Sequence, residues 1–359
     1  MLRFAENFNG VGTGATGRTN LLAGVWAQVG SQTSPETTNP RGLGSTHLRS
    51  ATASVNSIAR FVFGADLVQV VMGAAFYMPS LPTTEVYPFE IRDSANAAQV
   101  RVVVTSTGKI EVRRGTTATV IADSDALSPT PPITASAYHF IEVFLDVGNG
   151  ASPADGSVIV RVNGVVVINA SSVDTQATAI TTVSQAAILQ SPVGSGVSNY
   201  DCADLYCCDT TGTYNTTFLG DTQWLDMNVN GDTVTTDWTR NTGATDFSCI
   251  SDTTPDADTT YVEATAAAQK SDYDLETLPG TVGEVLAVVS KPMLRKTDAG
   301  AAQVQVSMVS GASVGSGTDR AITETYTYWR DTFETDPATG VPWTPTSFNA
   351  AQIRIEKTV

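Results

Sequence analysis

Residues 157–162 and 165–168 are two runs rich in β-branched side chains, separated only by Asn163-Gly164. A two-residue connection of this kind closes a type I′ turn, which needs φ > 0 at both central positions, and Asn and Gly accept that most readily. With the turn fixed, Val162 lies opposite Val165 and Val160 opposite Val167, so these four valines share a face with Val158. Ile159, Arg161, Val166 and Ile168 take the other face. A ribbon apolar on both sides must be covered on both sides, which places it inside a sandwich or barrel.

The same style extends along the chain. Helical periodicity is almost absent, and short β-type runs alternate with Gly, Pro, Asn, Asp, Ser and Thr turns. Strands are expected at 3–8, 45–50, 55–63, 67–78 and 86–92, with a Gly/Thr loop running to Asn20 after the first. A meander follows through 99–105, 109–114 and 117–122, then the ribbon 138–169 and closing strands at 187–190 and 200–208. Residues 209–215 read as a short polar linker. Beyond it, strands 218–228 and 235–239 bracket Asn230-Gly231, and further strands are expected at 282–291, 303–309 and 321–333. One helical turn within 343–351, capped by Thr346 or Ser347, precedes a last strand at 352–356. Asn9-Gly10 and Asn149-Gly150 mark two more turns. The fold class is all-β, as two antiparallel β-sandwich (jelly-roll) domains at 1–210 and 211–359. The 359 residues are enough for two cores. Charge breaks at the same place: the first part has 11 basic and 16 acidic residues (net −5), the second 9 and 20 (net −11).

A net charge of −16 repels phosphate backbones and argues against nucleic acid as a partner. The longest apolar run, 67–78, is interrupted by Gln69 and falls short of the roughly 20 residues that span a bilayer. No signal-type apolar segment follows Met1-Leu2-Arg3, so neither secretion nor membrane insertion is expected. Cys202, Cys207, Cys208 and Cys249 form no CxxC pair and read as small apolar strand residues, with Cys202 and Cys208 on the face opposite Cys207.

Motifs with catalytic associations lack their context. Gly12-Thr13-Gly14-Ala15-Thr16-Gly17 fits GxGxxG, but sits in a loop with no expected helix after it. Gly311-Ala312-Ser313-Val314-Gly315 fits GxSxG, yet both histidines, His47 and His139, lie upstream, so Ser313 is a loop serine. His139 shares a face with Ile141, Val143 and Leu145 and reads as core. Glu142 and Asp146 share a parity among apolar residues, and no E-x-D-x-x-E string exists for glycoside hydrolysis. Asp252, Asp256 and Asp258 cluster in a turn that lacks the EF-hand pattern. Trp224, Trp238, Trp329 and Trp343 suit sugar stacking or core anchoring alike. Sequons at Asn169 and Asn215 mean little without a secretory signal. No catalytic, cofactor-binding or metal residue is assigned, and no cofactor is expected.

Several strings resemble the concanavalin A-like (laminin G-like) jelly rolls of bacteriophage virion proteins. They are Arg3-Phe4-Ala5-Glu6-Asn7-Phe8, Gly108-Lys109-Ile110-Glu111-Val112, Tyr138-His139-Phe140-Ile141-Glu142-Val143 and Val160-Arg161-Val162-Asn163-Gly164-Val165. To these belong Tyr200-Asp201-Cys202-Ala203-Asp204-Leu205-Tyr206 and, in the C-terminal part, Phe218-Leu219-Gly220-Asp221 and the stretches 256–262 and 333–340. The resemblance implies a concanavalin A-like first domain and a non-enzymatic structural component of a tailed phage particle. That component would be a surface appendage (tail fibre, tail tip or head fibre) contacting host surface carbohydrate; the alternatives are a capsid decoration or cement protein and, third, a carbohydrate-active enzyme. It also implies other virion proteins as partners, a homo-oligomer, expected as a trimer, and location in the virion after assembly in the bacterial cytoplasm.

Overall fold

Alternating apolar and polar residues resolve into antiparallel strands in a computed structural model that describes residues 1–24, 26–37, 41, 46–51, 58–117, 119–148, 154–190 and 199–359. The expected turn at Asn149-Gly150 and the start of the 45–50 and 55–63 strands lie outside the described residues. The chain divides into two compact units, Met1–Trp224 and Leu225–Val359.

In the first unit, in chain order, the elements are β1 Leu2–Glu6, α1 Gly14–Leu22, β2 Trp26–Val29, β3 Thr33–Glu36, β4 His47–Ser50, β5 Ala59–Leu67, β6 Gln69–Met78 and β7 Glu85–Arg92. Then follow β8 Ala98–Thr105, β9 Ile110–Arg114, β10 Val120–Asp123, β11 Ala137–Asp146, β12 Gly156–Val162, β13 Val165–Val173, β14 Val183–Gln190 and β15 Tyr200–Asp209. Among the described residues they form two sheets. The first runs β13-β12-β11-β6-β15-β4-β3, with β1 also on β15; the second runs β10-β9-β8-β7-β14-β5-β2. The core lies between them. Phe4 stacks on Phe61 at 4.3 Å between ring centroids, and Phe76 meets Phe89 edge-on at 5.2 Å. Met72, Ile141, Val143 and Val160 from the first sheet and Val102, Val112 and Ile188 from the second are fully buried. This is the expected all-β jelly-roll class.

The Asn163-Gly164 turn forms as read, with φ of 50° and 79°. The register beyond it differs. Val162 pairs with Val165 and Arg161 with Val166, but a bulge then brings Val160 opposite Ile168 in place of Val167. Val165 is consequently exposed beside the turn, while both Val167 and Ile168 are buried. A similar irregularity in β15 corrects the cysteine faces. Asp204 and Leu205 bulge between the Ala203–Ala75 and Tyr206–Gly73 pairs, so Cys202 and Cys207 both face the core opposite Phe76 and Met72. A helix, α1, also follows the Gly/Thr loop that was expected to run unbroken to Asn20. Its Gly17 fits because a Cβ there would meet Gly12 O at 2.3 Å. No βαβ unit results, since β1 and β2 join antiparallel partners in different sheets.

The second unit is built around one sheet in the order Val229–Thr236, Lys270–Leu275, Gln352–Lys357, Gln303–Ser310, Ser313–Ser316, with Arg320–Ala321 also on Gln303–Ser310. Short ribbons flank it, such as Val288–Ser290 with Asp331–Phe333. Met308, Phe333, Trp343, Phe348 and Ala351 make its core. Asn230-Gly231 lies inside a strand and turns no hairpin, and 218–228 holds no strand. The helix α2, Pro345–Asn349, is capped at Thr344 in place of the expected Thr346 or Ser347: Thr344 and Ser347 exchange side-chain-to-backbone hydrogen bonds at 3.0 Å, with Pro345 at the first position.

Gly164 has open space around its Cα, so a side chain there is resisted by φ alone. Gly164→Val should lower the stability of the chain by about 1–3 kcal/mol in a urea titration. An unchanged midpoint would show that the hairpin is not built this way.

Candidate functional site

The two sheets of the first unit present very different outer faces. On the first, β11, β6 and β15 bring Glu142, Gly73 and Tyr206 into one row. The Tyr206 hydroxyl donates to Glu142 Oε1 at 2.5 Å, and burial pushes the phenol's pKa up, with Glu142 adding to the shift. The segment following β15 lies on this row. Leu219 N donates to Tyr206 Oη at 3.1 Å, Gly220 N to Glu142 Oε1 at 2.9 Å, and Trp224 N to Asp204 Oδ1 at 3.0 Å. The Arg161 guanidinium sits 4.0 Å from the centroid of the Phe218 ring, and Arg41 pairs with Asp204 at 3.0 Å. Farther along, Arg49 chelates Asp201 at 2.7 and 2.8 Å, with His47 Nε2 3.4 Å from the same carboxylate. His47 and Asp201 are fully buried. This face is closed by its own chain.

The second sheet also has a polar outer face, packed densely enough that Glu90 is fully buried and Tyr87 only 7% exposed. Phe89 and Ile91 point inward, so strict alternation would send Tyr87 inward too. A bulge at Tyr87-Pro88 breaks the β7–β8 register between Val86 and Phe89, and Tyr87 joins Glu85 and Glu90 on the outer face. There a row of polar side chains crosses five adjacent strands, β9-β8-β7-β14-β5, roughly 19 Å at the usual strand spacing. It starts with Glu111, held by Arg113 at 2.7 Å, and Arg113 also binds Glu85 at 2.6 Å. The Tyr87 hydroxyl donates to Glu85 at 2.5 Å, and Arg101 lies 4.7 Å from the Tyr87 ring centroid. Glu90 takes guanidinium hydrogen bonds from both Arg101 and Arg92. Arg92 Nη1 reaches Asn96 Oδ1 at 3.1 Å, and Arg60 Nη1 reaches the same oxygen and Gln185 Oε1, both at 2.6 Å. Burial, then the hydrogen bond and charge of Glu85, push the Tyr87 phenol up to about 12, so it stays protonated at any working pH. Its oxygen is thereby a proton donor held beside guanidiniums.

The residues singled out from the sequence fall elsewhere. His139 is buried, its Nε2 accepting from Thr134 N at 3.0 Å. Ser313 opens a strand after the Gly311 turn, with no helix behind it. All four cysteines are buried thiols. Thr260 Oγ1 donates to Asp256 at 3.0 Å and lies 3.2 Å from Asp252, while Arg295 and Tyr326 hold Asp258. Among the described residues no three of His, Cys, Asp and Glu converge on a common metal position. Trp343 is core and donates to Phe333 O at 3.0 Å; buried Trp238 donates to Gln269 O at 3.1 Å. Glu85, Tyr87, Glu90, Arg92, Arg101 and Arg113 were not singled out. Their only sequence signal was the density of charge in 85–114, which strand parity alone does not assemble.

No protein-family model matches the chain, and no curated protein matches it. Similar solved structures include a mutant of the alginate lyase Aly36B with bound alginate trisaccharide (16% identity, 57% of this chain, 96% of that one, TM-score 0.41). They also include the cellulose-induced protein Cip1 (15%, 54%, 92%, 0.40) and the alginate lyase vAL-1 from Chlorella virus (10%, 48%, 88%, 0.34). At these values no residue is carried over to this chain. The expectation of a non-enzymatic tail or capsid component is corrected to this extent: the structures returned include alginate lyases, and a likeness of this degree shows the fold alone. The strings behind that expectation are mostly sheet and turn residues, and none belongs to the Tyr87 row except Glu111.

Burial, with Arg49 adding to it, holds the His47 imidazole at a pKa of about 4 against its ordinary 6.5. The unfolded chain therefore binds the proton more tightly. Stability is full above pH 6.5 and declines as the pH falls toward 4, by up to about 3 kcal/mol. Asp201, whose carboxyl burial raises, returns part of this as it protonates. Melting temperature should fall between pH 7 and pH 4.5, and His47→Asn should narrow that fall; an equal fall in the variant would remove His47 as its cause.

Proposed function

We propose that the chain is a carbohydrate-active enzyme that works on a polysaccharide laid across the outer face of the second sheet of its first unit. The observation behind this reading is the Tyr87 row: a phenol kept protonated by burial and Glu85, with guanidiniums on both sides. Breaking a glycosidic bond requires a proton for the departing oxygen, and a positioned acid contributes about 10²–10⁴-fold to such a step. Tyr87 is the donor in this reading, Glu85, which accepts its hydrogen bond, orients the phenol, and the phenolate regains a proton from the water that adds in hydrolysis or from the sugar carbon that loses one in elimination. Arg101 over the ring supplies positive charge where negative charge builds up on the departing oxygen or next to it. The carboxylates of the row already accept from arginines, Glu85 and Glu111 from Arg113 and Glu90 from Arg92 and Arg101. Their part is to hold guanidiniums in place, and the phenol is left as the proton source.

A panel of neutral and acidic polysaccharides, followed by release of reducing ends and by absorbance of unsaturated products, tests the reading and tells hydrolysis from elimination. The wild-type chain should cleave at least one member. Tyr87→Phe should lose about 100-fold or more of that rate with its melting temperature kept within a few degrees. No cleavage anywhere in the panel would end the reading, and full activity in Tyr87→Phe would remove the phenol from it.

A further inference from the structure

One end of the row differs from the rest. Every other arginine in it meets a carboxylate, but Arg60 does not. Among the described residues its acceptors are two neutral oxygens, Asn96 Oδ1 and Gln185 Oε1, both bound through Nη1. The orientation of the Gln185 amide is set from behind, because its Nε2 donates to Asp93 O at 3.2 Å, which turns Oε1 toward Arg60. Arg60 Nε is buried without a partner, and so is Arg92 Nε. Arg92 stands close by: both guanidiniums reach Asn96 Oδ1. The nearest carboxylates are engaged. Glu90 is shared by Arg92 and Arg101, and Asp93 accepts from Ala97 N, Gln99 Nε2 and Thr178 Oγ1. Against the three guanidiniums of Arg60, Arg92 and Arg101 stand the two carboxylates of Glu90 and Asp93, a local positive excess in a chain of net charge −16.

We infer that Arg60, Arg92, Asn96 and Gln185 form a subsite for a single anionic substituent, a carboxylate or a sulfate ester, of the polysaccharide. The inference rests on the reading of the face as a polysaccharide site, and it narrows the substrate to acidic chains. Arg60 is half-buried, and among the described residues its Nη2 has no protein acceptor. Burial and the charge of Arg92 both lower its pKa, which means that the charge is held there against opposition from the fold. An incoming anion would bridge the two guanidiniums and relieve their repulsion. A merely structural arginine would be expected beside a carboxylate, as Arg113 is beside Glu85 and Glu111.

Affinity electrophoresis of the full chain in gels containing polygalacturonate, heparin or a neutral glucan provides the test. The wild type should be retarded by polygalacturonate if the subsite takes carboxylates and by heparin if it takes sulfates, with retardation falling as salt is added. Arg60→Gln should weaken that binding by roughly ten- to a hundred-fold, as expected for a charge-assisted contact, and Arg60→Lys should keep part of it. Because the repulsion with Arg92 disappears, Arg60→Gln should melt no lower than the wild type. Equal retardation of wild type and Arg60→Gln, retardation by the neutral glucan alone, or none in any gel would overturn the subsite. Cleavage of a neutral polysaccharide that depends on Tyr87 and not on Arg60 would overturn the subsite while leaving the enzyme reading intact. Loss of Tyr87 dependence would instead remove that reading.

Discussion

The Tyr206 ring occupies the space that a side chain on Gly73 would need: an added Cβ would meet the ring at 2.3 Å. Much of the first unit depends on this exchange. By lying flat over the glycine, the phenol brings its hydroxyl to Glu142 and leaves its oxygen free to accept from Leu219 N. Two donors, that hydroxyl and Gly220 N, then satisfy Glu142 Oε1, while Oε2 is buried without a hydrogen-bond partner among the described residues. The bulge at Asp204-Leu205 works in the same direction, since it aims Asp204 at Trp224 N and Arg41. Backbone donors from the segment after β15 thus close the first sheet's outer face.

That closure decides where chemistry has room. Glu142, His47 and Asp201 look like active-site residues by type, yet they are buried beneath their own chain and act as anchors. The second sheet solves the same problem, a polar outer face, with cross-strand ion pairs. Glu90 is fully buried, and ion pairs taken out of water gain little net stability because desolvation offsets their attraction. Their effect here is geometric. Arg113 tied to both Glu85 and Glu111, and Glu90 tied to both Arg92 and Arg101, leave few rotamers available around Tyr87. Such pre-set donors need no reorganisation when charge develops near them.

Local chemistry made part of this legible in the sequence. Asn163-Gly164 specifies its turn through φ, and the strands of the meander follow from simple alternation. The helical turn of α2 was visible, although its cap is Thr344 in place of the expected Thr346 or Ser347. What failed to show depends on single inserted residues. One bulge turns Tyr87 outward, another turns Cys207 to the side of Cys202, and a third exchanges Val167 for Ile168. Each inverts a parity that counting by twos carries forward unchanged. The candidate site was hidden for the same reason. Its members come from β5, β7, β8, β9 and β14, and only the sheet order makes them neighbours.

Net charge excludes partners less sharply than it first suggests. At −16 the chain repels a polyanion at long range, but that repulsion is screened beyond about 8 Å at physiological salt. At contact distance the face itself decides. Along the row, positive and negative groups nearly balance except at Arg60, so the face offers one guanidinium without a carboxylate. A duplex nucleic acid presents a phosphate charge every 1.7 Å or so along its axis and is held by many neutralising contacts. One uncompensated guanidinium does not meet that demand. On the proposed reading it suits a polymer whose charges are widely spaced, with a single anionic group on a repeating unit, and neutral hydroxyls would be met by amides, arginines already bound to glutamates, and the Tyr87 phenol.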